Sequence, residues 1–292
     1  MSSAELVLAR PAPVDQTRRR VLSTRLLRAE LRLLFGRRRN QVLLVVLALI
    51  PVIIGIAIRS SSGSPEPGEG PPFLDRVSGN GLFLAFTGLA TVTPFFLPLA
   101  VGVVSGDAVA GEAQAGTLRY LLTVPVGRTR LLLVKYGGLV AFGLAAALLV
   151  GAVGLLVGWA LFPVGDVTLL SGTTISVPAA VGRAGLVALY VTASLAGLAA
   201  LGLAVSTFTE VPVAAMATTV VLAITSQILG AIPQISWLHP WLFTHHWLAF
   251  GDLLRDPVPT GALVDGLLLQ AGWAAVALAV AWSRFTTRDV TS

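Results

Sequence analysis

The sequence predicts an all-α integral membrane protein with six crossings. Three observations carry that class. Of 292 residues, 55% are hydrophobic and only 12% charged, about half the ~25% charge of a soluble domain. Six stretches contain no Lys or Arg and, apart from Asp252 in the fifth, no Asp or Glu: residues 40–58, 77–106, 136–165, 184–209, 211–254 and 266–283. A helix needs about 20 apolar residues to cross a bilayer core of about 30 Å, and every stretch can supply one crossing.

The elements follow in order. Residues 1–16 hold three alanines and two prolines and are expected to lack regular structure. Residues 17–39 read as a basic amphipathic helix. Leu22, Leu26 and Leu33 lie near one face with Leu27, Leu31 and Leu34 beside them, and Arg25, Arg28 and Arg32 lie opposite. Such a helix rests in the headgroup plane. It serves either as an orientation signal or as an elbow that braces the bundle; the sequence leaves both open. The division is therefore a cytoplasmic tail and helix at 1–39 and a membrane domain at 40–292. The spans are expected near 41–58, 82–104, 132–161, 184–206, 212–232 and 264–283. Pro51, Pro94 and Pro98 fall inside spans, where neighbouring helices can satisfy the freed carbonyls.

Charge gives the orientation. With the N-terminus inside, 16 of the 20 Lys and Arg residues fall on the inner side, and Arg59, Arg76, Arg183 and Arg255 fall outside. This follows the positive-inside rule. A multi-pass protein of the plasma membrane with both termini cytoplasmic is expected. The net charge of +6 sits beside apolar spans, so membrane lipid rather than nucleic acid is its partner. The absence of cysteine excludes disulfides, thiolate catalysis and cysteine metal sites.

The connecting segments carry the functional signal. No G-x-x-x-x-G-K-[ST] occurs, because the sole lysine, Lys135, is followed by Tyr136; the chain does not bind ATP through a P-loop. No acid or base stands in the middle of a span, where one would cost roughly 2.5–3.5 kcal/mol. Ion-coupled carriers usually need such residues, so the driving energy is expected from outside the membrane. Residues 105–135 are polar and charged. Asp107 and Glu112 are expected to precede a helix at 108–122, broken by Pro125, Val126 and Gly127 and followed by Arg128, Arg130 and Lys135. Acids before a helix and bases after it suit the macrodipole without any partner, so a solvated connector is also open.

The order Glu112-x-x-x-Gly116-Thr117-Leu118, then Leu121, Leu122, Pro125, Arg128 and Lys135, resembles the signature of type-2 ABC transporter permeases. The likeness in motif and topology extends over nearly the whole chain. It implies a non-catalytic six-helix subunit whose first inner loop forms a coupling helix docked on a separate ATP-binding cassette ATPase. Asp107, Glu112, Gly116, Thr117 and Arg119 would then be the contact region, with Glu210 in a short second inner loop at 206–212. The resemblance implies no cofactor in this chain, ATP and Mg in the partner subunit, and a homodimer of permeases.

Residues 235–259 form the second unusual region. Trp237, Trp241 and Trp247 suit a membrane interface, while Pro233 and Pro240 break helices. A re-entrant or interfacial helical pair is expected. In the permeases that the chain resembles, this position closes the outer end, which implies an outer gate at Trp237, His239, Trp241, His245 and His246. The offsets of the three histidines give no clear ligand geometry, so no metal site is expected. Residues 59–80 are low in complexity. Gly151, Gly154, Gly158, Gly182 and Gly185 allow close helix packing. Thr91, Thr93, Thr218, Thr219, Thr225, Ser226 and Gln227 are polar candidates for a pathway, although hydroxyls in spans usually bond their own backbone.

The leading reading is a permease half of an ATP-driven exporter of amphipathic or hydrophobic compounds: a drug, an antibiotic or a lipid-like molecule. The alternative is a secondary carrier or channel-like protein without an ATPase. An intramembrane enzyme, built on the three histidines with Asp252 and Asp256, and a sensor that keeps the permease fold also remain open.

Overall fold

The apolar runs become helices in a computed structural model that describes residues 24–60, 74–116 and 127–287. Helix α1 (Thr24–Gly36) bends at Arg37 into α2 (Arg38–Ser60). The first residues of α2 cap the end of α1: the amides of Asn40 and Gln41 donate to the carbonyls of Leu34 and Phe35, at 2.8 and 3.0 Å. Those carbonyls would otherwise lack intrahelical partners. Then follow α3 (Leu74–Val77), α4 (Phe83–Val92), α5 (Phe96–Gln114) and α6 (Arg128–Leu161). A short antiparallel hairpin, β1 (Val167–Thr168) and β2 (Thr174–Ile175), pairs Val167 with Ile175. The chain continues through α7 (Val177–Ser194), α8 (Ala196–Phe208) and α9 (Pro212–Gly230). Two 3-10 segments (Pro233–Trp241 and Ala249–Leu254) lead to α10 (Gly261–Thr287).

Six helices among the described residues are long and apolar enough to cross a membrane: α2, α5, α6, α7 with α8 as one bent crossing, α9 and α10. The fold class is the one the sequence predicts, but three boundaries move. The second span, expected at 82–104, is two helices broken at 93–95. Pro94 supplies no N–H there, and its carbonyl accepts from the Gln227 amide instead. The start of the helix expected at 108–122 is also corrected: Asp107 and Glu112 lie within α5, which runs to Gln114, while 117–122 lie outside the described residues. Gly116 then takes φ of 67°, a left-handed conformation that ends helices and suits glycine. The fourth span begins at Val177 rather than 184.

Burial is uneven. The α7–α8 crossing is 72% buried, whereas α2 is 17% and α9 22% buried. Lipid is therefore the solvent for most of α2 and α9. Helices meet closely where side chains are absent: a Cβ on Gly158 would strike the carbonyl oxygen of Gly81, and one on Gly106 would press on the backbone of Met216. Small residues of this kind let membrane helices approach backbone to backbone. Helix α6, 34 residues long, spans about 50 Å and projects beyond a 30 Å core.

The two ends of the bundle differ. One end gathers α1, the end of α5, the start of α6 and the end of α10. There Arg128 donates to the Phe285 carbonyl at 3.1 Å and the Trp282 indole to Thr129 Oγ1 at 2.9 Å. The opposite end carries the hairpin and the 3-10 segments. Arg183 on α7 fastens the second 3-10 segment by donating to the carbonyls of Leu253 and Arg255, at 2.7 and 2.8 Å, and the Leu170 N–H of the hairpin turn donates to the Leu254 carbonyl at 2.9 Å.

Candidate functional site

The site is built where α5 leaves the apolar layer. Asp107 and Glu112 lie on α5, five residues apart, and both turn inward. Asp107 is 7% exposed. Its Oδ2 receives the guanidinium of Arg37 and, at 2.8 Å, that of Arg39. Arg37 stands at the α1–α2 bend and Arg39 in the first turn of α2. Gly111 makes room for the carboxylate, since a Cβ there would collide with Asp107 Oδ1. Lys135 on α6 is 2% exposed. Its ammonium lies 2.7 Å from Glu112 Oε1 and 3.3 Å from Glu30 Oε1 on α1.

Three acids and three bases thus form one cluster contributed by α1, the bend, α5 and α6. It encloses a cavity of about 30 Å³, room for a water or two. The charges balance, and each of the six has an opposite charge in contact. Desolvating an ion costs several kcal/mol, and pairing offsets that cost only when geometry is good.

A second polar tie lies on the same stretch of α5. Ser206, at the end of α8, is fully buried. Its hydroxyl accepts from the N–H groups of Val109 and Ala110, at 3.0 and 2.9 Å, and donates to the Gly106 carbonyl at 2.7 Å. One side chain thereby stitches α8 into the backbone of α5. Glu210 is exposed in the turn between α8 and α9, whose next helix starts with Pro212 in the first turn, a position where a missing N–H does no harm.

Of the residues expected at the inner loop, Asp107 and Glu112 are therefore consumed by internal ion pairs, whereas Gly116 and Glu210 are exposed. Thr117 and Arg119 lie outside the described residues. Sequence reasoning missed Glu30, Arg37, Arg39 and Ser206. A faint signal existed: the chain's one lysine follows Glu112 at the opposite edge of the loop. Glu30, the lone acid among the arginines of α1, has no such cue in its spacing.

At the opposite end, Trp237 and Trp241 are exposed and Trp247 is buried. Two 3-10 segments stand where a re-entrant or interfacial helical pair is expected. The intervening turn is sewn down through its carbonyls. Trp273 donates to Trp241 at 3.0 Å, Gln270 to Phe243 at 2.5 Å and Tyr190 to His246 at 3.1 Å. The imidazole of His245 lies between the others, with ring centroids 6.1 Å from His239 and 4.6 Å from His246. Desolvation, then the neighbouring imidazoles His246 and His239, lower the His245 pKa below its ordinary 6.5. Among the described residues no group of three His, Cys, Asp or Glu is arranged to hold a metal ion. Three of the candidate pathway hydroxyls bond backbone: Thr91, Thr93 and Thr219 donate to the carbonyls of Thr87, Leu89 and Ala215, whereas Ser226 pairs with the Thr244 hydroxyl at 2.8 Å.

Comparison with known proteins decides the family. Residues 34–290 match the family described as ABC-2 family transporter protein. The chain belongs to the ABC-2 transporter family. Two curated relatives are probable ABC transporter permease proteins called NosY. The one from Stutzerimonas stutzeri is 32% identical over 118 residues, and the one from Pseudomonas aeruginosa 34% identical over 118 residues. Each alignment covers 37% of this chain and 39% of the relative. The ABC-2 match takes in all six crossings and five of the six clustered charges; Glu30 falls four residues before it.

Proposed function

We propose that this chain is the membrane-spanning permease subunit of an ATP-driven ABC transporter. It carries no catalytic centre; ATP and Mg belong to a separate ATP-binding cassette subunit. The observation that carries the reading is the clustered end of the bundle. Family membership supplies the kind of machine, and the stiff polar cluster supplies a place to receive force. Loop residues beyond α5, together with exposed Gly116 and Glu210, form the docking face. Positive charge supports a cytoplasmic position for that face.

Two copies complete the transporter. The poorly buried faces of α2 and α9 leave room for a second chain as well as lipid. The spans offer few unsatisfied polar side chains, which favours an amphipathic or hydrophobic cargo, exported through an outer end closed by the turn around His239, His245 and His246. A secondary carrier gains nothing from the structure, since the described buried charges gather at one end and none stands mid-span.

The native chain has no cysteine, so single cysteines make clean probes. Ala115→Cys and Glu210→Cys, carrying a photoactivatable crosslinker in host membranes, should capture a P-loop ATPase identified by mass spectrometry. Trp237→Cys should not. Capture from Trp237 alone, or capture of no ATPase from either inner position, defeats the proposal.

A further inference from the structure

The ion-paired cluster ties α1 to both sides of the loop. Glu30 reaches Lys135 on α6, and Lys135 reaches Glu112 on α5. Arg37 at the α1–α2 bend and Arg39 in the first turn of α2 reach Asp107 on α5. We infer that Lys135 and Asp107 are positioning residues that make α1 and the bend move with the end of α5 and the start of α6 as one rigid block.

The argument is physical. Residues 115–127 join the end of α5 to the start of α6. Any displacement of that connection acts first on the turns holding Glu112 and Lys135. If α1 were only a surface float, it could lag behind. Its contacts forbid that. Separating Glu30 from Lys135 would take one of two carboxylate partners from an ammonium with 1% side-chain exposure, and a buried charge that loses a partner is penalised. High salt screens exposed pairs far more than buried ones, so the tie should persist at ionic strengths that strip a helix from a lipid surface. Ser206 adds α8 to the same block through three hydrogen bonds to α5. Packed polar elements of this kind switch between discrete arrangements rather than bending continuously.

The inference deepens the proposed function, because it names the residues that carry a push on the loop to the N-terminal helix. Its test needs no ATPase. In the full-length cysteine-free chain, Arg28→Cys on α1 and Leu133→Cys on α6 are spin-labelled in lipid nanodiscs, and their distance distribution is measured by pulsed electron resonance. Ile53→Cys and Leu156→Cys report the far halves of α2 and α6. The parent and Lys135→Arg should give one narrow peak for the first pair, at low and high salt. Lys135→Met and Glu30→Gln should lose that narrow peak while the second pair stays unchanged. Should Lys135→Met fail to insert, Glu30→Gln, whose carboxylate is partly exposed, reads the same tie. A first-pair peak as narrow in Glu30→Gln as in the parent overturns the inference, as does equal broadening of both pairs. Failure of any ATPase to associate would strike the proposed function and leave this distance result standing.

Discussion

Lys135 is the residue where burial and charge conflict most. It is among the largest fully buried side chains and the only lysine. Removing one member of a buried pair typically costs about 3–5 kcal/mol. Lys135→Met should therefore lower the unfolding midpoint in detergent markedly, whereas Lys135→Arg should lower it far less; light-scattering melts of the two would check this. Glu112→Arg would set a second cation against Lys135, so it tests the fold before it tests docking. At the other end, His245 gives a pH dependence. Its folded pKa lies below 6.5, so the neutral form is favoured by the native turn. That contribution is complete above the unfolded pKa and is lost as pH falls through the lowered value. Stability of the native chain should decline below about pH 6.5, and His245→Phe should flatten that limb of the melting curve.

At the scale of elements, glycine contacts decide which helices cross closely. Gly158→Ala pushes a methyl into the Gly81 backbone, and overpacking of this kind costs about 1–3 kcal/mol. Gly143→Ala, where nothing lies within 4 Å of the added atom, should be neutral or stabilise by up to about 1 kcal/mol through helix propensity. Paired melts of the two variants separate packing from propensity. Hydropathy made the six crossings legible, because transfer into lipid acts on each run independently of its neighbours. The break at Pro94 was legible only as a proline; its partner Gln227 lies 133 residues away. Ser206 was illegible for the same reason. A serine at a span's end reads as a weak helix cap, and nothing local marks it for the backbone of α5. Asp107 and Glu112 are legible as charges but not as partners of Arg37, Arg39 and Lys135, since spacing on one helix cannot name the face that a distant helix will cover.

At the scale of the molecule, the distribution of basic residues makes the two ends chemically distinct and predicts their sidedness. In intact cells, a membrane-impermeant maleimide should label Trp237→Cys. It should label Gln114→Cys only after permeabilisation. The reverse pattern would invert the topology. The same asymmetry concentrates the polar structure at one end and leaves the described middle of the bundle to apolar packing, so mechanical stiffness and lipid contact reside in different layers.

The pairing of Glu30 with Lys135 also sets an order of biogenesis. The two residues are 105 positions apart, and the partner of the earlier one lies at the threshold of the third crossing. While the ribosome is still making the first two crossings, Arg37 and Arg39 can meet Asp107, but Glu30 has no lysine to clasp and α1 must wait hydrated at the membrane surface. Only emergence of the third crossing lets α1 clamp down. A nascent chain arrested before residue 135 should therefore keep that segment open to protease, and one arrested well beyond it should not.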